Sequence, residues 1–171
     1  MYNLLYNNVQ DRRRFLTGIA TVTTIAIAGC SSEPVPGDGP EAAVEQYFTA
    51  VENDDEEAAN EVLHPESNQY PVEEGEFKTD EEISLNDANQ ISTKEYVEWQ
   101  TEQSGGSGGV TDEEIQEGVE TIEQEVEKEL DEIEADDYAL VLVSFDRGSG
   151  EKEELTVLTV KDDGSWYWYG Q

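Results

Sequence analysis

One cysteine, one histidine, 15 aromatic side chains and 42 carboxylates are the groups in this 171-residue sequence that could do chemistry. Cys30 is the only thiol. The small residues before it, Ile27-Ala28-Gly29, and the Ser/Pro/Gly stretch after it, Ser31 to Gly39, leave nothing local to bury a sulfur, so the chemistry open to it is alkylation of an accessible thiolate. His64 is the only imidazole, and its place before Pro65 at the end of a helical pattern suits a dipole-stabilising cap better than a general base. Tyr47 and Tyr96 fall on apolar helix faces, where a tyrosine fills core and keeps its hydroxyl at the rim. With Trp99, Trp166 and Trp168 they are the aromatic residues available to line a pocket or an interface. The acidic pairs Asp54-Asp55 and Asp136-Asp137 lack the ligand spacing of a calcium loop and read as solvated surface. A single thiol excludes an intrachain disulfide, and with a single imidazole it leaves no Cys/His set for structural zinc or an iron–sulfur centre. No catalytic set, metal or cofactor is therefore expected.

The segment that must position Cys30 has its own order. Arg12, Arg13 and Arg14 sit together and are followed by Phe15 to Ala28, a mildly apolar run of 14 residues with Thr and Gly inside it. A helix needs about 20 residues to cross a bilayer, so the run reads as the core of a signal peptide rather than a permanent span. Arg12-Arg13-Arg14-Phe15-Leu16 resembles the twin-arginine export signal, and Ile27-Ala28-Gly29-Cys30 resembles the lipoprotein box, in which small side chains admit the backbone to a peptidase and the cysteine sulfur receives a lipid. The resemblance implies that residues 1–29 are removed, that Cys30 begins the mature chain and carries the membrane lipid, and that residues 30–39 form a flexible tether. It places the protein on the extracellular face of the cell membrane. Two acyl or isoprenoid chains would be needed for firm anchoring, at about 0.8 kcal/mol per buried methylene.

The charge excludes one class of partner and asks for an explanation. With 9 Lys+Arg against 42 Asp+Glu the net charge is −33, which rules out nucleic acid, since phosphate contacts need a basic surface. The carboxylates run along the whole chain, so they repel one another in any compact state. At molar ionic strength the Debye length falls to about 3 Å, leaving repulsion only between neighbours. A salt-adapted, folded domain accounts for both the acidity and the regular apolar periods.

The domain expected from residue 40 onward is mixed. Val44, Tyr47, Phe48 and Val51 share one face of a helix over Pro40 to Glu52, and Ala58, Ala59, Val62 and Leu63 share a face of a second, capped by Asp54 or Asp55 and ended by His64-Pro65. A strand follows around Ile83 to Thr93, then a short helix over Lys94 to Gln100 and a glycine-rich break at Ser104 to Gly109. Thr111 to Ala135 reads as one long helix opened by a Thr111/Glu114 capping box, its narrow apolar stripe flanked by ten Glu and two Asp. Three antiparallel strands close the sequence over Tyr138–Phe145, Glu154–Lys161 and Ser165–Tyr169. The first is apolar on both faces, so one sheet face must meet the helices and the other should meet something else, such as a dimer mate or a flap of the same chain.

The phrase Ala-Val-Glu-Gln-Tyr-Phe in the first helix, the Asn53-Asp54-Asp55 turn after it and the closing Asp162-Asp163-Gly164-Ser165-Trp166-Tyr167-Trp168 meander resemble the NTF2-like (cystatin-like α+β) superfamily. With the export signal, the whole is similar to lipoproteins of salt-loving archaea. The resemblance implies an α+β fold in which an N-terminal helical hairpin and a long acidic helix pack on a curved antiparallel sheet, with a cone-shaped pocket that family members use for catalysis, binding or dimerisation. No catalytic motif of the family matches residue by residue. The expectation is a membrane-anchored, non-enzymatic domain that presents aromatic residues to a small ligand or a protein partner, a homodimer through the sheet included. Two alternatives stand beside it: a pocket enzyme of the isomerase or dehydratase type, and an accessory subunit or chaperone of a cell-surface complex.

Overall fold

The computed structural model describes residues 38–77, 83–104, 111–148 and 152–170. The export signal at Arg12, Arg13, Phe15 and Leu16, the Ile27-Ala28-Gly29 box, Cys30 and all but the last two residues of the expected tether lie outside the described residues, as does most of the glycine-rich break. The elements run α1 (Pro40–Glu52), α2 (Glu56–Val62), β1 (Ser84–Ile91), α3 (Thr93–Gln103), α4 (Asp112–Ile133), β2 (Asp137–Asp146), β3 (Lys152–Asp162) and β4 (Ser165–Gly170). The fold is α+β, with four helices and an open antiparallel sheet of order β1-β2-β3-β4.

Local chemistry explains most boundaries. Pro40 opens α1, where its missing N–H costs nothing, and Asp55 caps α2 by accepting the Ala58 amide at 3.0 Å. Both α3 and α4 begin with complete capping boxes, Ser92 with Glu95 and Thr111 with Glu114. The amides and hydroxyls that donate to Glu95 and Glu114 hold both carboxyls below the usual range. α4 ends where Glu134 turns left-handed at φ 59°. The β3–β4 turn uses Asp163 and Gly164, both at positive φ, the two-residue geometry whose twist matches the flanking strands.

Two expected boundaries move. The third helix is longer than Lys94–Gln100, because its capping box starts it at Thr93 and its last turn runs to Gln103. α2 stops at Val62 rather than running to His64, because Leu63 takes an extended backbone (φ −84°, ψ 135°) and forms a parallel bridge with Trp168. The segment after α2 thereby covers the outer edge of β4, and the His64 amide donates to the Trp168 carbonyl at 2.9 Å.

The sheet has helices on both faces. Alternation along β2 sends Val141, Val143 and Phe145 into the core with Val157 of β3, Trp168 of β4, Val44 and Phe48 of α1, and Ala59 and Leu63 at α2. Tyr138 and Leu140, of opposite parity, face α3 and α4: Thr93 of α3 meets the Tyr138 hydroxyl at 3.5 Å, Trp99 Nε1 donates to Glu154 at 3.3 Å, and Tyr169 donates to Glu129 of α4. The flap that the apolar second face called for comes from the same chain. Its packing is looser than the first, since Val126 is the one buried residue of α4 and α3 has none.

Candidate functional site

The aromatic candidates separate into four places. Tyr47 and Trp168 come together in the core, their ring centroids 4.3 Å apart, with Phe48 and Phe77 edge-on to Tyr47 at 6.3 and 6.2 Å and Phe145 at 5.7 Å from Phe48. These rings fill the space between α1 and the sheet. Trp168 is 2% exposed, and its Nε1 is buried with no acceptor among the described residues. Burial, with Glu76 nearby, raises the Tyr47 hydroxyl above its ordinary value. Tyr96 and Trp99 stack on α3, centroids 6.4 Å apart, and Gln100 donates to the Tyr96 hydroxyl at 2.8 Å. Trp166 lies at the β3–β4 turn, apart from the other candidates, with the Lys161 ammonium 5.9 Å from its ring.

His64 occupies the fourth place, and its surroundings hold residues that sequence reasoning passed over. The step from Leu63 to His64 switches faces, so Leu63 enters the core with Trp168 while His64 turns to the α4 side of β4. There its ring meets Tyr167 and Tyr169 edge-on at 5.8 and 5.7 Å, and its Nε2 points at Asp162 Oδ2, 3.6 Å away. The strict alternation Trp166-Tyr167-Trp168-Tyr169 is the signal that assigns the two tyrosines to the face opposite the tryptophans.

The protons of this cluster can be assigned. His64 Nδ1 accepts the Glu66 amide at 3.2 Å, so the neutral ring carries its hydrogen on Nε2, facing Asp162 at a distance too long for a hydrogen bond. Burial holds the imidazole below its ordinary pKa of 6.5, against the upward pull of Asp162 and Glu66. Tyr169 is pushed upward, first by burial and then by its hydrogen bond to Glu129 and the nearby Glu66 and Glu132. Neither His64 nitrogen offers an available lone pair, and the ring is 3% exposed. As arranged it can neither take a proton from a substrate nor bind a metal without losing the Glu66 contact. Nor is it the helix cap expected from sequence, because it lies beyond the α2 terminus, is held neutral, and bonds the turn that follows it.

One member of each acidic pair serves the backbone. Asp55 caps α2, and Asp137 Oδ1 accepts the Tyr138 amide at 2.9 Å. Among the described residues no group of three or more His, Cys, Asp or Glu could hold a metal ion. Two open grooves mark the surface. One of about 340 Å³ runs between α1 and β1, past Glu45, Phe48, Glu52, Leu85 and Asp87. The other, about 350 Å³, lies where β1 passes into α3, between Lys94, Val119, Glu123, Tyr138 and Leu140. Neither contains any of the six aromatic or imidazole candidates. Among the described residues no helix is long and apolar enough to cross a membrane.

Comparison with family models, curated proteins and solved structures finds no match to this chain.

Proposed function

We propose that this chain is a salt-adapted lipoprotein of the extracellular membrane face, exported by the twin-arginine route and moored through Cys30, whose domain over residues 40–171 is an NTF2-like binding module without enzymatic activity. The order of twin arginine, weak apolar run, small-residue box and Ser/Pro/Gly tether supports the anchoring. The non-enzymatic reading rests on a single observation: Tyr47, Phe48, Phe145 and Trp168 occupy the interior between α1 and the sheet, where a reacting substrate would need room. The committed nitrogens of His64 agree with it. An acidic domain gains nothing from anionic headgroups, so the lipid alone supplies attachment while the carboxylates hold the domain clear of the bilayer.

Mass spectrometry of membrane-fraction protein tests the anchor. The expected product begins at Cys30 with a lipid-alkylated sulfur, and Cys30→Ser is expected to release the domain into the medium or leave it unprocessed. An intact Met1, or a free thiol in a soluble fraction, would refute the proposal.

A further inference from the structure

We propose that the open edge of β1 is a docking site for an extended, lysine- or arginine-bearing segment of a partner protein, which joins the sheet as an added strand. The sheet's two edges are treated differently. Leu63 and His64 cover β4, whereas no strand lies beside β1 among the described residues. Edge strands are commonly guarded by lysines, prolines, several charges or a bulge. β1 has no Lys or Pro and carries a single charge, Asp87, in eight residues of a chain that is 30% charged, and the irregularity at Asn86 leaves its second half, Asp87 to Ile91, regular.

What meets this edge is a pair of carboxylates. Glu52 Oε1 accepts the Leu85 amide and Glu41 Oε1 accepts the Gln90 amide, each at 3.2 Å, both reaching over from α1. These are long, exposed bonds that stand where the carbonyls of a neighbouring strand would stand. An incoming backbone can replace them one for one, which frees two carboxylates to pair with basic side chains. The irregularity at Asn86 divides the edge, so an added strand matches the five residues Asp87 to Ile91 in regular register and reaches the Leu85 amide across the bulge. Beside it, the groove between α1 and β1 has Phe48 and Leu85 for apolar contact and Glu45, Glu52 and Asp87 for charge, with no cation in its lining.

That charge selects the occupant. A second copy of this chain would bring Glu41, Glu45, Glu52 and Asp87 against the same set, and repulsion between nearest neighbours survives even molar salt. A basic segment meets the same groups with attraction and supplies the carbonyls that the Leu85 and Gln90 amides require. This inference rests on reading the domain as a binder, and it is independent of the lipid at Cys30: failure of the test below leaves the Cys30 result standing, and the reverse holds too.

The test uses the full chain in molar potassium chloride and two labelled synthetic peptides of about ten residues, one alternating lysine with valine and the other glutamate with valine. The lysine peptide is expected to bind at least about tenfold more tightly, with amide-exchange protection gained over residues 84–91. Ala88→Pro removes an amide on the same side as that of Gln90, two residues on, and leaves the bonds to β2 in place. It should weaken binding about tenfold with the thermal transition retained. Glu41→Gln combined with Glu52→Gln keeps an oxygen for each amide but removes two of the four charges, so it should cut the preference for lysine by several-fold even if the proline variant does not fold. Equal binding of the two peptides, no binding of either, or protection confined to other segments would overturn the proposal. So would protection of β1 that grows with protein concentration in the absence of peptide, which would make a second copy the occupant.

Discussion

His64 carries its hydrogen on Nε2 and accepts the Glu66 amide at Nδ1, so a second proton has to enter at Nδ1 and displace that amide. Because burial sets the folded pKa below the ordinary 6.5, the unfolded chain binds more protons in the window beneath that value, and stability there rises with pH. The contribution of neutral His64 is thus fully present above about pH 6.5 and lost as pH falls through the lower, folded value. Denaturant midpoints in molar salt should drop between pH 7 and pH 5, and Asp162→Asn should deepen the drop by removing the largest group that favours the charged ring. His64→Gln should flatten it. On the other side of β4, Trp168→Ala would open the aromatic core and is expected to cost about 3–5 kcal/mol in equilibrium unfolding. Trp168→Phe should cost clearly less, since it keeps ring contact and removes an indole N–H that is buried without an acceptor among the described residues.

At the scale of elements, α3 and α4 pack tightly where Gly118 faces Val97. A Cβ on Gly118 would lie 3.0 Å from Val97 Cγ1. Alanine gains about 1 kcal/mol in helix propensity, but a valine fixed in its helical rotamer cannot yield easily, and overpacking costs about 1–3 kcal/mol. Gly118→Ala is therefore expected to destabilise by about 1 kcal/mol net, and Val97→Ala in the same chain should return the helix gain, a coupling that a double-mutant cycle reads directly. The helices themselves were legible because their signals are local: Pro40 at the start of α1, the i, i+3, i+4, i+7 face from Val44 to Val51, and the Thr111/Glu114 box all lie within a few residues of what they specify. The three closing strands were legible for the same reason, through alternation and the Asp163-Gly164 turn. Leu63 and His64 were not, because their backbone is decided by Trp168, a strand edge supplied from much later in the sequence. The His64 cluster stayed hidden with them, since Asp162, Tyr167, Tyr169 and Glu129 reach it from three other elements.

For the whole molecule, charge dominates. The net charge is −33, and the ion pairs Lys94–Glu98, Lys128–Glu132 and Arg147–Glu153 are all solvent-exposed, where each contributes little. Lowering salt from molar to 0.1 M lengthens the Debye distance from about 3 to about 10 Å, so each carboxylate then repels many others. Thermal midpoints should fall steadily along that series. Glu127→Lys, placed between Glu123 and Asp131 on α4, should recover about 0.2–0.5 kcal/mol per new pair at low salt and a smaller part of that at high salt, where only contact-distance attraction survives.

The parallel bridge between Leu63 and Trp168 also governs timing. While the chain is still emerging from the ribosome, α1 and α2 can meet each other and the earlier strands, but Leu63 lacks its bridge partner and the Trp168 ring that seats against Tyr47 and Phe48 has not been made. Closure waits on that final ribbon, and long-range closure of this kind is slow. A polypeptide cut short ahead of Ser165 would leave the first two helices without that ring and the outer side of β3 without its neighbour.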